Sequence, residues 1–160
     1  MNSLKIISGG QTGADRGALE AAIQTGVPHG GHCPKGRLSE DGGVPMRYNL
    51  TETKSADYPE RTRLNVLNSD GTVVICLKAK LGRGTELTVE ICQELGKPYL
   101  VLASAESPAE KAATVRDFVE KHGIKVLNVA GSRESKQPGL FRHTREAIQM
   151  VLASSDVAAR

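Results

Sequence analysis

An α/β fold, with an open parallel sheet covered by helices on both faces in one domain over residues 1–160, is what the sequence predicts. Three observations carry it. Strand-like and helix-like segments alternate about five times along the chain. The run Thr72–Leu77 (TVVICL) is apolar without alternation, as in a strand covered on both faces. The size of 160 residues, with 39% hydrophobic and 24% charged, suits a single soluble domain that can bury a continuous core.

The elements follow in order. Leu4–Ser8 reads as a buried strand closed by Gly9-Gly10. Ala14 to Gln24 has helical spacing: Ala18, Leu19, Ala22 and Ile23 share a face, and Asp15, Arg16, Glu20 and Gln24 point elsewhere. Gly26 stops this helix. Residues 30–59 are rich in Gly, Pro and charge with little periodicity, with a presumed second strand near Gly30 to Cys33. So long a structureless connection is uncommon in a compact domain and often functional, and it is read here as a covering loop. A helix is predicted over 60–68 and a turn at Ser69-Asp70-Gly71. After the strand at 72–77, a helix runs from about Glu86 to Leu95, closed by Gly96 with Pro98 beyond. Pro98 to Ala103 is the next strand. Ser107, Pro108 and Glu110 then supply the cap, first-turn proline and capping-box glutamate of another helix. Ile124–Val129 is the last strand, 131–139 a loop and Leu140–Leu152 the last helix, and the tail at about 154–160 is expected to fray.

In open α/β sheets ligands bind beyond the carboxyl ends of the strands. Three of these ends carry glycine: GGQTG after the first strand, KAKLGRGTELT after TVVICL, and AGSRESKQPG after IKVLNV. Glycine lets the backbone approach a ligand, and the following helix offers unpaired N–H groups at its positive end. Lys78, Lys80, Arg83, Arg133 and Lys136 add positive charge to the same rim. The expected ligand carries phosphate. Gln11 and Thr12 can donate to its oxygens. Asp15 either caps its helix or contacts a hydroxyl or amine of the ligand. Lys35-Gly36-Arg37 and Glu40-Asp41 give the covering loop both signs of charge, suited to folding over such a ligand. Arg61 and Asn65, one turn apart, could look into the site. Glu86 and Glu90, also one turn apart, could serve as an acid/base pair near a ribose, or equally as first-turn dipole partners and surface charge.

Other chemistries fit poorly. The opening glycines are spaced Gly10-x-x-Gly13-x-x-x-Gly17, which is neither the dinucleotide fingerprint nor a Walker A loop. His29, His32 and Cys33 match no closed tetrahedral metal pattern, so no metal site is expected. Cys76 and Cys92 read as small core residues. Aromatic residues make up 3% of the chain with no Trp, and the net charge is +3, which disfavours nucleic acid as a partner. Three cysteines without a CxxC pair suit a reducing compartment, and no run is apolar enough for a signal sequence or a membrane span. A cytoplasmic location is expected.

The stretches SGGQTGADRGALEAA, CPKGRLSEDG, YPERTRLNVLNSDGTVVI, GRGTELT, GKPYLVL and LNVAGSRESKQPG together resemble the putative molybdenum carrier family, the circularly permuted YpsA-like branch of the SLOG superfamily. The resemblance spans about residues 4 to 152. It implies a Rossmann-like fold, a homo-oligomer, and glycine loops that hold a nucleotide-like or phosphorylated small molecule such as the molybdenum cofactor, with molybdoenzymes as recipients. By position, the binding loops fall on Gly9, Gly10, Gln11, Thr12 and Gly13, on Gly82, Gly84 and Thr85, and on Gly131, Ser132 and Arg133. The "lonely guy" phosphoribohydrolases are relatives in the superfamily, and their second motif has a glutamate three residues after its threonine. Here that position is Thr88, with glutamates at 86 and 90 instead. The displacement favours a carrier over an enzyme that splits a nucleoside monophosphate at its glycosidic bond using Glu86, Glu90, Arg83 and Arg133. An adaptor with a vestigial pocket is the third reading.

Overall fold

The unbroken apolar run of the sequence becomes an inner strand. The structure, a computed structural model, describes residues 4–159, with side chains as far as Ala153. The strands are β1 (Lys5–Ile7), β2 (His29–Gly30), β3 (His32–Cys33), β4 (Thr51–Glu52), β5 (Gly71–Cys76), β6 (Tyr99–Ala103) and β7 (Val126–Gly131). The helices are α1 (Ala14–Thr25), α2 (Tyr58–Leu67), α3 (Arg83–Leu95), α4 (Pro108–His122) and α5 (Leu140–Ala159). The main sheet has the order β2-β1-β7-β5-β6 and every neighbouring pair is parallel. All of β5 is buried, which explains why it lacks alternation.

Helices α1, α4 and α5 bury one face of the sheet. Ala14, Ala18, Ala21 and Ala22 are small enough for α1 to sit close, and they share a core with Leu140, Ile148 and Val151 of α5. A second cluster, Val66 with Ile91 and Cys92, joins α2 to α3. Cys76 and Cys92 are fully buried, as expected of core residues. Because β7, the last strand in the chain, inserts between β1 and β5, the strand order reverses direction there. That reversal leaves a crevice at the carboxyl ends of the three strands.

Several boundaries differ from the sequence reading. Helix α3 starts at Arg83 rather than Glu86, because Gly82 takes an extended N-cap conformation and the second glycine loop feeds directly into the helix. Helix α2 starts at Tyr58, with Pro59 in its first turn where a missing N–H costs nothing. Strand β7 extends to Gly131, and α5 continues past Leu152 to Ala159. The fraying expected at about 154–160 falls outside the residues whose side chains are described.

The larger correction concerns residues 30–59, which are not structureless. β2 joins the main sheet and β3 pairs with β4. Val44, Tyr48 and Leu50 pack with Leu19 and Cys33 in a small core of their own. Arg37 organises the turn between them by donating to the carbonyls of Val44, Pro45, Tyr48 and Leu50. The lobe sits on the outer side of α1, which is why Arg16 and Glu20 are buried. Arg16 holds Asp41 through two nitrogens (2.6 and 2.8 Å) and also donates to Ser39 Oγ and to the Gly10 and Gly43 carbonyls. The Asp41 carboxyl is held far below the ordinary range by Arg16 and then by Ser39. Glu20 accepts from Arg47 and from the Tyr48 hydroxyl, and burial with this carboxylate contact pushes Tyr48 up to about 12.

Candidate functional site

A cavity of about 290 Å³ opens at the reversal point. The three glycine loops meet there. Gly9 and Gln11 come from the end of β1, residues 82–85 from the start of α3, and Gly131, Ser132 and Arg133 from the end of β7. Helix α2 closes the remaining side with Tyr58, Arg61, Thr62 and Asn65. Positions 58, 61, 62 and 65 form one helical stripe, so Arg61 and Asn65 share the face of α2 that lines the cavity.

The first turn of α3 points into this space. Gly82 has no side chain to cap it, so the N–H groups of that turn lack an intrahelical partner at the positive end of a 13-residue helix. Arg83 and Lys136 line the same rim and form no ion pair among the described residues, and Arg133 Nε lies 3.9 Å from Glu40. Ser132 is buried, its hydroxyl 3.6 Å from Cys76 Sγ. The rim thus combines backbone donors with three cations, the chemistry of an anion site.

The opposite wall is built around Arg61 and Asp15. Arg61 Nη1 lies 3.3 Å from Asp15 Oδ2, both side chains being about nine-tenths buried. The guanidinium also lies over the Tyr58 ring, 5.2 Å from its centroid, and Arg61 Nε is buried without a partner. This packing explains Gly9: a Cβ there would fall 1.9 Å from Arg61 Nη1. Asp15 does not cap α1, whose N-cap is Gly13. It accepts instead from the Gln11 backbone N–H at 3.2 Å. Burial raises its pKa, while Arg61 opposes the rise.

Other predicted residues serve the frame rather than the cavity. Gly10 lies against Val44 and Leu50 of the lobe. Gly13 has φ of 83°, and a Cβ there would stand 2.4 Å from the Ser132 carbonyl, so the first loop rests directly on the third. Thr12 Oγ1 accepts from the Glu134 N–H at 3.2 Å and donates to Glu40. Lys35, Lys78 and Lys80 are exposed and do not line the cavity. Neither do Glu86 and Glu90, which lie exposed on α3, while Thr85 and Thr88 on its inner face are buried and do. The acid/base arrangement considered for the two glutamates is therefore absent from the cavity wall.

Glu40 joins the lobe to two of the loops at once. Its carboxylate accepts from Thr12 Oγ1, Ser135 N–H (3.2 Å) and Ser135 Oγ, tying the first glycine loop to the third. Hydrogen bonds from Ser135 and Thr12 hold it below the usual carboxylate range. Gln11 links this clasp to the cavity: its Oε1 accepts from the Glu40 N–H at 2.9 Å and its Nε2 donates to the Tyr58 hydroxyl at 3.3 Å. The sequence reading missed Tyr58, Thr62, Thr88 and Asn128 as lining residues. Starting α2 at Asp57-Tyr58-Pro59 would have placed the first two on the Arg61 face.

A parallel sheet with helices on both faces and a cation-rimmed cavity at its switch point defines a Rossmann-like α/β protein. This chain belongs to the circularly permutated YpsA SLOG family, whose model matches residues 6–152. It is similar to the crystal structure of a putative molybdenum carrier protein from Syntrophus aciditrophicus SB, at 42% identity over 94% of this chain and 95% of that one, with a TM-score of 0.89. A comparison with curated proteins finds no match. Among the described residues, no helix is long and apolar enough to cross a membrane.

Proposed function

We propose that this chain binds a phosphorylated, nucleotide-like compound in the strand-end cavity and carries it rather than transforming it, the molybdenum cofactor being the cargo and molybdoenzymes its recipients. The observation that carries this reading is the meeting of three glycine loops, an uncapped helix N-terminus and the cations Arg83, Arg133 and Lys136 at one cavity. The α3 N–H groups and these cations hold the phosphate. Gly82 and Gly84, where an added Cβ would meet open space, let the ligand lie against backbone. The likeness to a putative molybdenum carrier supports the choice of cargo. Among the described residues neither cysteine nor histidine lines the cavity, so its lining grips the organic part of the cofactor and leaves the metal without a soft protein ligand.

Keeping is favoured over splitting by the position of the carboxylates. Cleavage of a glycosidic bond through an oxocarbenium-like state needs a carboxylate beside the sugar. Glu86 and Glu90 lie outside the cavity, Thr88 stands where the hydrolase motif has its glutamate, and Asp15 is engaged by Arg61. The test is cofactor protection. Purified protein mixed with released molybdenum cofactor in air is expected to slow its oxidation, and Arg83→Ala with Arg133→Ala to lose that protection. Release of free base from a nucleoside monophosphate, abolished by Glu86→Gln or Glu90→Gln, would replace this reading with the hydrolase.

A further inference from the structure

We infer that Tyr58 is a stacking platform for a flat heterocycle, so that the cavity reads its ligand at two ends, ring against α2 and phosphate against the α3 and β7 loops. This rests on the cavity being the ligand site. Tyr58 lines the cavity and is 38% exposed. It is the one aromatic residue there: Tyr48 and Phe118 are buried in the two cores, Tyr99 lies on the edge strand β6, and Phe141 on α5.

Its ring is also fixed before any ligand arrives. The Arg61 guanidinium sits over it, 5.2 Å from the centroid, and is itself tied to Asp15. The Tyr58 hydroxyl is held by Gln11 Nε2, and Gln11 is held through its Oε1 by the backbone of Glu40 and Thr12. A ring backed by a cation and anchored at its hydroxyl keeps its orientation, so little is lost in ordering it when a second flat ring stacks on it. An aromatic residue kept merely to pack Arg61 would need neither the exposure nor the Gln11 bond.

The test compares two probes, GMP, with a fused heterocycle and a 5′-phosphate, and ribose 5-phosphate, which lacks the ring. Calorimetry of wild type, Tyr58→Leu, Tyr58→Phe and Arg133→Ala separates the two ends. Base–aromatic stacking of about 1–3 kcal/mol converts to roughly five- to 140-fold in Kd. Tyr58→Leu is expected to weaken GMP by that factor and leave ribose 5-phosphate unchanged, Tyr58→Phe, which keeps the ring and loses its anchor, to bind GMP between wild type and Tyr58→Leu, and Arg133→Ala to weaken both probes. Equal weakening of both probes by Tyr58→Leu, or none, overturns the stacking role and leaves the cavity reading intact. Binding indifferent to Arg133→Ala, or absent from wild type, overturns the cavity reading and the stacking role together.

Discussion

Replacing Arg61 with Met strips a buried carboxylate of its cation while keeping most of the side-chain volume. Asp15 and Arg61 are each about nine-tenths buried and 3.3 Å apart. Removing one partner of a buried pair costs about 3–5 kcal/mol; the Gln11 N–H that Asp15 keeps places this case near the lower end, about 3 kcal/mol. For a chain of this size that is a fall in Tm of roughly 6–12 °C at neutral pH. The loss has a pH signature. Burial already raises the Asp15 pKa above 3.8, and without Arg61 it rises further. The folded variant then binds more protons than the unfolded chain, so its stability increases as pH falls from the folded pKa towards 3.8. Asp15→Asn combined with Arg61→Met lacks this carboxyl, and is expected to recover most of the loss and show no such recovery on acidification. Calorimetric unfolding of the single and double variants across pH 4 to 8 measures both effects. A single variant as stable as wild type, or a deficit from the double variant that stays constant with pH, would refute the account of Asp15 and Arg61 as a mutually dependent pair.

Three further outcomes follow from the packing. Gly131→Ala places a Cβ 2.1 Å from the Ile75 carbonyl and 2.6 Å from Ala14 Cβ, so urea unfolding is expected to show a loss of about 1–3 kcal/mol or more from overpacking. Lys111, fully buried, donates to the carbonyls of Cys76 (2.7 Å) and Ser104 (2.9 Å) and sits 3.0 Å from His143 Nε2; burial lowers the pKa of both residues, and Lys111 lowers that of His143 further. Because the folded His143 pKa lies below 6.5, its share of stability is present above that pH and lost as pH falls from 6.5 towards the folded pKa, a slope that His143→Asn should remove from a denaturation series. Glu40→Gln weakens the clasp between the first and third loops, and amide exchange at residues 134–136 is expected to quicken while the β5 amides stay protected. In wild type the protection of the same amides, taken relative to their intrinsic exchange rate, should fall as pH drops through the lowered Glu40 pKa, since protonation weakens the acceptor.

The order of strands and helices was legible because burial leaves local marks: TVVICL without alternation, the Ser107–Glu110 capping box, and Gly26 and Gly96 as left-handed stops. The meeting of the three glycine loops was legible because the ends of parallel strands in one sheet lie on one side. The lobe at 30–59 was not. Its order comes from Arg16 reaching Asp41 and from Arg37 gathering four carbonyls, contacts that leave no periodic pattern. For the same reason the sequence places Arg16 and Glu20 off the apolar face of α1 without showing that the lobe buries them there. The sequence leaves Glu86 and Glu90 open between a pair near a ribose and first-turn dipole partners or surface charge, because their spacing alone does not say which face of α3 meets the sheet; the packing turns Thr85 and Thr88 inward and leaves both glutamates exposed.

The measurement that tests the central claim most directly is native mass spectrometry of the protein purified gently, without air, from cells that make molybdenum cofactor. The account predicts an adduct with the isotope pattern of molybdenum and the mass of a phosphorylated pterin, lost in Arg133→Ala. A bare protein that also fails to take up added cofactor, or an adduct retained unchanged by Arg83→Ala and Arg133→Ala, would contradict it.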